Sequence, residues 1–272
     1  MSFSDDPFAS GPTHVVFPTI AHSHTAIILH GRGDTGAEFA DEFLSSPLSS
    51  GKTLQDLLPG WRWVFPSAPK RWSNAFQEDM PAWFEAHSLA DPSARQDLQT
   101  PGIQASLHNI SKVIVEETDR LGGLSSKVVL GGISQGGAVA LLTLLSGRAK
   151  GVGGFFAAST WLPFASDVEY ALFHEELPLD TDMSPRAAIL WMFAGTDGPD
   201  AVAKRATVLL GHGVDDAYVD VELGREAAGI LKRVGYEVVW KEYTGAEQEG
   251  HWFKVPEGID DVVDVLEAVS HN

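Results

Sequence analysis

The 272-residue chain contains no cysteine. That absence excludes a disulfide framework, a thiolate zinc site and a cysteine nucleophile. Basic residues are scarce as well: 19 Lys and Arg stand against 37 Asp and Glu, a net charge of −18. So acidic a chain lacks the basic face that nucleic-acid binding needs, and it disfavours electrostatic docking on anionic lipid. No run of about 18 apolar residues could span a bilayer, so no integral membrane association is expected. The opening MSFSDDPFASGP has neither a basic n-region nor an apolar h-region, which makes a cytoplasmic protein the expectation. What is present is globular material. Apolar residues make up 44%, too many for a disordered chain, and the length suffices for one large core.

Short apolar runs alternate with amphipathic stretches. Residues 25–30, 61–65, 127–131, 152–158, 206–211 and 236–241 read as strands. In 103–120, Ile103, Leu107, Ile110, Ile114 and Val115 recur at helical spacing, and Gly122 and Gly123 end the helix. Residues 136–146 read as a buried helix, with further helices at 221–234 and 257–269. Strands that are apolar throughout and separated by helices predict an α/β fold: a mostly parallel sheet covered on both faces. No repeat or linker divides the chain, so 1–272 reads as one domain. The stretch 166–205 breaks the alternation. It carries an acidic patch (Glu175, Glu176, Asp180, Asp182), an apolar island (Ile189–Phe193) and then Gly195–Pro199. It reads either as an inserted lid or cap, or with the island as an ordinary strand.

The chemistry concentrates at Gly132-Ile133-Ser134-Gln135-Gly136, a G-x-S-x-G motif between the strand KVVL and an apolar helix rich in small residues. Such a strand–turn–helix setting lifts a serine hydroxyl above a sheet, and the flanking glycines remove the Cβ atoms that would clash there. A serine needs a base, and the order in this kind of fold is Ser, acid, His. Of the downstream histidines, His174 lies in the atypical stretch and His271 at the C-terminus. His212 comes directly after a strand, too early for the last member. His251, after the last strand and before the last helix, is the expected base. The acid belongs in the loop after 206–211, which offers Asp215, Asp216 and Asp220; spacing alone does not choose among them. The oxyanion hole needs two N–H donors. One is expected from Gln135, the other from the loop His30–Gly36. That loop lacks the G-x-x-x-x-G-K-[ST] pattern of a phosphate cradle.

With these residues in hand, the chain resembles the acyl-protein thioesterase/carboxylesterase branch (the phospholipase/carboxylesterase family) of the α/β-hydrolases. The resemblance is carried, in order, by ILHGRGDTG (28–36), PSAP (66–69), MPAWFE (80–85), VVLGGISQGGAVAL (128–141), STWLP (159–163), GHGVDDAYV (211–219) and GHW (250–252). It implies an α/β-hydrolase fold with an enlarged insertion before the acid strand. It implies Ser134 as nucleophile, His251 as base and Asp216, rather than Asp215, as the acid. It further implies oxyanion donors from the backbone of Arg32 and Gln135, and an acyl pocket lined by Trp83, Trp161 and Leu162. The implied reaction is hydrolysis of acyl esters or thioesters, on an acylated protein or a lipid, with no metal or cofactor, by a monomer or homodimer. A lysophospholipase and a non-catalytic binding module on the same fold are the alternatives. Three features depart from the family pattern: Arg32 stands where an apolar residue is usual, Asp220 where Pro is usual, and the 166–205 stretch is long. Arg32 is expected either to favour acidic substrates or to pair with a carboxylate such as Asp34.

Overall fold

The computed structural model describes residues 10–88, 91–174, 184–194 and 206–271. Its centre is a seven-stranded sheet. The strands are β1 (Thr13–Val16), β2 (His24–Leu29), β3 (Trp61–Pro66), β6 (Val128–Ile133), β7 (Gly154–Ala158), β8 (Thr207–Gly213) and β9 (Val238–Tyr243), in the spatial order β1-β3-β2-β6-β7-β8-β9. Only β1 runs antiparallel, against β3; the other neighbours pair in parallel. A separate antiparallel hairpin, β4 (Lys70–Ser73) with β5 (Glu78–Pro81), stands beside the sheet.

Alternate residues of each central strand enter two different cores. Ile27, Leu29, Leu130, Phe155, Val208 and Leu210 pack with α3 (Gln96–Arg120), α4 (Ser134–Leu145), α6 (Pro185–Phe193) and α7 (Val221–Val234). Ala26, Ile28, Val129, Phe156 and Leu209 pack with α1 (Gly36–Ser45), α2 (Leu54–Leu57) and α8 (Glu257–Ser270). Because both faces are covered, β2, β6 and β7 are buried at every position rather than at every second one. The order reverses between β2 and β6: after the edge strand β1 the chain enters the middle at β2, moves outward to β3, then crosses back to β6. A crevice opens at such a switch point, outside the carboxyl ends of the strands.

Within 166–205, residues 166–173 and 185–193 are helical. α5 (Ala165–Phe173) and α6 lie on the α3/α7 side of the sheet. Ile189, Met192 and Phe193 are buried in that core, while Trp191 is exposed. The apolar island is therefore a helix and not a strand. Ser184 caps it by accepting from the Ala187 N–H (3.2 Å), and Pro185 occupies its first turn, where no donor is needed. The remainder of the expected insertion, 175–183 and 195–205, lies outside the described residues. Three more differences have simple origins. β1 and the β4–β5 hairpin are short and half-exposed, so they carry no apolar run. α3 begins seven residues before the periodic pattern, at Gln96 rather than Ile103, and carries inside it Pro101, a residue that in a sequence marks a helix boundary. β8 extends through Gly213, so His212 is a strand residue and not the start of a loop.

Candidate active site

Ser134 is the first residue of α4 and has φ +52°, a left-handed conformation rare for a residue with a Cβ. The turn is tight enough that its neighbours must be glycine. A Cβ on Gly136 would lie 2.4 Å from the carbonyl oxygens of both Leu29 and His30, and one on Gly132 2.8 Å from the Gly136 carbonyl carbon. Thr160 Oγ1 donates to the Ser134 carbonyl at 2.8 Å and steadies the turn from the segment that follows β7. The rest of α4 is buried along its length.

Gln135 follows on the same turn. Its side chain is fully used: Oε1 accepts from the Trp83 N–H (2.9 Å) and Nε2 donates to the Phe84 carbonyl (2.8 Å). Its backbone N–H belongs to the first turn of α4, where no carbonyl within the helix is available to it. The loop after β2 is fixed by His30. The Ala68 N–H donates to His30 Nε2 (3.0 Å), so Nδ1 bears the proton and donates to the Gly31 carbonyl (2.6 Å). Burial pushes the imidazole down to about 4, keeping it neutral. Beyond it, the Gly33 N–H donates to the Pro81 carbonyl (2.8 Å), while the Arg32 N–H has no hydrogen-bond partner among the described residues.

Asp216 and His251 meet across the ends of β8 and β9. His251 Nδ1 lies 2.8 and 3.0 Å from the two carboxylate oxygens. The same carboxylate accepts from the Tyr218 and Val219 N–H groups, both at 2.9 Å. The other candidate acids are engaged elsewhere: Asp215 accepts from the Gly245 N–H (2.8 Å), and Asp220 caps α7 through the Glu222 N–H (2.9 Å). The loop before His251 passes through three consecutive left-handed residues, Gln248, Glu249 and Gly250.

His212 is a partner that motif reasoning passed over. It is fully buried in β8. Its Nε2 lies 2.9 Å from the Val219 carbonyl, which can only accept, so Nε2 carries a proton; Asp216 Oδ2 lies 3.4 Å away. Burial alone would raise the Asp216 carboxyl. The hydrogen bonds from His212 and His251 outweigh it and hold the group well below the usual carboxylate range. The signal was the pair itself, His212 and Asp216 four apart in GHGVDD.

Ser134, Gln135, Arg32 and His251 all line one cavity of about 480 Å³. Phe76, Met80, Ala86 and Pro92 form one stretch of its wall; Tyr218, Val219, Gln248 and Trp252 form another. Trp161 lies on the lining. Trp83 and Leu162 are buried outside it; the Trp83 indole donates to the His30 carbonyl (2.9 Å). Arg32 does not pair with Asp34 among the described residues. Its Nη1 donates to the Ala86 carbonyl (2.8 Å), and Asp34 accepts from the Thr35 N–H (2.7 Å). Among the described residues no helix is long and apolar enough to cross a membrane, and no three acidic or histidine side chains are grouped to hold a metal ion.

A sequence model of the phospholipase/carboxylesterase family matches residues 11–179. Acyl-protein thioesterase 1 of Gibberella zeae is 31% identical over 252 residues, spanning 91% of this chain and 92% of that protein. The acyl-protein thioesterase 1 of Cryptococcus neoformans var. neoformans is 29% identical over 228 residues, or 82% and 79% of the two chains. Among solved structures, Zea mays acyl-protein thioesterase 2 superposes with a TM-score of 0.66 at 26% identity, covering 95% of this chain and 99% of that one. Esterase PE8 shares the fold with a TM-score of 0.66 at 20% identity, covering 96% and 98%.

Proposed function

We infer that this chain, which belongs to the phospholipase/carboxylesterase family of the α/β-hydrolases and is an ester or thioester hydrolase, cleaves acyl substrates through Ser134, His251 and Asp216 by way of an acyl-enzyme. The observation that carries the reading is the Asp216–His251 hydrogen bond of 2.8 Å on the cavity that Ser134 also lines. With Nδ1–H directed at Asp216, the lone pair of His251 rests on Nε2, the atom that must accept the serine proton. Ser134 Oγ attacks the acyl carbonyl as its proton passes to Nε2. The backbone N–H groups of Arg32 and Gln135 stabilise the oxyanion. The tetrahedral intermediate collapses, the alcohol or thiol departs with the proton from His251, and the acyl group remains on Ser134. Water then repeats the sequence, with His251 again as base, and releases the acid. Asp216 stays ionised and balances the imidazolium.

The relatives named acyl-protein thioesterase support an acylated protein as the substrate class. The acidic surface favours an acylated peptide of basic character over an anionic bilayer. The test is hydrolysis of nitrophenyl esters from acetyl to palmitoyl, alongside labelling by a fluorophosphonate, with Ser134→Ala as control. Ser134→Ala should lose both labelling and turnover, the latter by about 10⁴-fold or more. A rate unaffected by Ser134→Ala would remove the assignment, and absence of labelling in the native chain would turn the reading to a binding module.

A further inference from the structure

Arg32 brings a side chain that an oxyanion donor does not need. Its Nη1 is held by the Ala86 carbonyl, and the guanidinium lies 4.9 Å over the Phe76 ring. Both contacts fix it against the stretch of wall formed by Phe76, Met80, Ala86 and Pro92. There Nη2 is buried with no hydrogen-bond partner among the described residues. The indole N–H of Trp161, a second residue on the same lining, is buried without a partner as well. A buried donor left unmatched is costly, and a charged one more so. Neither nearby carboxylate forms an ion pair with it among the described residues: Asp34 accepts from the Thr35 N–H (2.7 Å), and Glu85, whose charge favours the guanidinium from a distance, accepts from the Asn74 N–H (3.1 Å). In a chain with 37 Asp and Glu, this guanidinium makes no ion pair among the described residues. The donor that remains unmatched, Nη2, suits a carboxylate oxygen brought to it by a substrate in the cavity.

The two stretches of wall divide the substrate. His251 must reach the departing alcohol or thiol, so the leaving group belongs beside Tyr218, Gln248 and His251. The stretch that holds Arg32 is left for the acyl chain. We propose that Arg32 makes the enzyme selective for acyl groups that end in a carboxylate, the half esters and half thioesters of dicarboxylic acids. The proposal rests on Ser134 being the nucleophile.

The test compares the mono-4-nitrophenyl ester of adipic acid with its methyl-capped counterpart, and with an ester whose carboxylate sits on the leaving group instead. The native enzyme should favour the free acid over the capped ester in kcat/KM by about tenfold or more, the scale of a hydrogen bond to a charged group. Arg32→Gln should bring that ratio close to one, and Arg32→Lys should keep part of it. The ratio is read rather than the rate, because any change at this position also disturbs the oxyanion loop. If Arg32→Gln does not fold, the native ratio must fall towards one as sodium chloride rises. A native ratio of one, a ratio unchanged in Arg32→Gln, a ratio indifferent to salt, or a preference for the carboxylate on the leaving group would each overturn the proposal. Capped-ester hydrolysis that persists in Ser134→Ala would instead overturn the reading on which it rests.

Discussion

Asp216 sits between two imidazoles, and each binds it differently. His251 approaches from the cavity that Ser134 also lines; His212 approaches from the core and also serves the Val219 carbonyl. The two imidazoles outweigh the effect of burial and hold this carboxyl well below the usual carboxylate range, and the carboxylate fixes which nitrogen of His251 bears the proton. Asp216→Asn should preserve the fold and lower kcat by about 10³–10⁴-fold, because an amide can present its NH₂ to Nδ1 and favour the wrong tautomer. Stopped-flow or steady-state hydrolysis of a nitrophenyl ester reads the effect; a loss under tenfold would show that the acid lies elsewhere. The sequence could name His251 by its place between the last strand and the last helix. It could not separate Asp215, Asp216 and Asp220, because all three are loop carboxylates near a helix start. What separates them is partner geometry, a backbone N–H for two of them and an imidazole for the third, and that follows only from how β8 and β9 end. Trp83 illustrates the reverse. Its place in a family motif implies a pocket wall; in the structure its indole donates to the His30 carbonyl, beneath the loop after β2, and it does not lie on the cavity lining.

The loop after β2 depends on the segment after β3 for its shape, and His30 is the tie. Its neutral imidazole receives the Ala68 N–H on one side and donates to Gly31 on the other. A charged ring would lose the first bond and sit unsolvated in the core. The folded chain takes up this proton only near pH 4, whereas the unfolded chain takes it up near 6.5. Between those values the unfolded state binds more protons, so stability is complete above pH 6.5 and declines as pH falls towards 4. For a shift of this size the contribution is at most about 3 kcal/mol. Burial lowers His22 and His24 as well, so their slopes have the same sign and must be subtracted. Urea unfolding of the native chain and His30→Gln at pH 7.5 and 4.5 isolates the effect: the native chain should lose more stability on acidification. Equal losses would mean that the ring is not the neutral tie described. The buried strands and α4 were legible because burial on two faces makes them apolar throughout. α5, α6 and the β4–β5 hairpin were not. The hairpin has no apolar run. α6 has one, but it is too short for its period to distinguish a helix from a strand, and only Ser184 and Pro185 mark it as a helix start.

Charge acts over longer distances than any of these contacts. A surplus of 18 negative charges surrounds the chain, yet the cavity holds an arginine against one wall. Under the proposed function and the proposed role of Arg32, the field outside and the group inside act on different parts of a substrate: the first would draw in a basic leaving portion, and the second would hold an acidic acyl terminus once bound. Composition discloses the first of these directly. The second cannot be read from it, because one cation among 19 gains its meaning from the wall against which it is folded. Steering by net charge acts on encounter and is screened by salt over about 10 Å at 0.1 M. For an acylated peptide with lysines flanking the scissile bond, kcat/KM should fall about tenfold as sodium chloride rises from roughly 20 to 300 mM, and with glutamates in their place it should rise. A neutral nitrophenyl ester of the same acyl group should change less than about twofold, since it carries no charge for the field to act on. Stopped-flow measurement of the three substrates across the salt series decides it. If the lysine and glutamate peptides respond alike, the surface charge plays no part in substrate capture, and its role is confined to keeping the chain in solution.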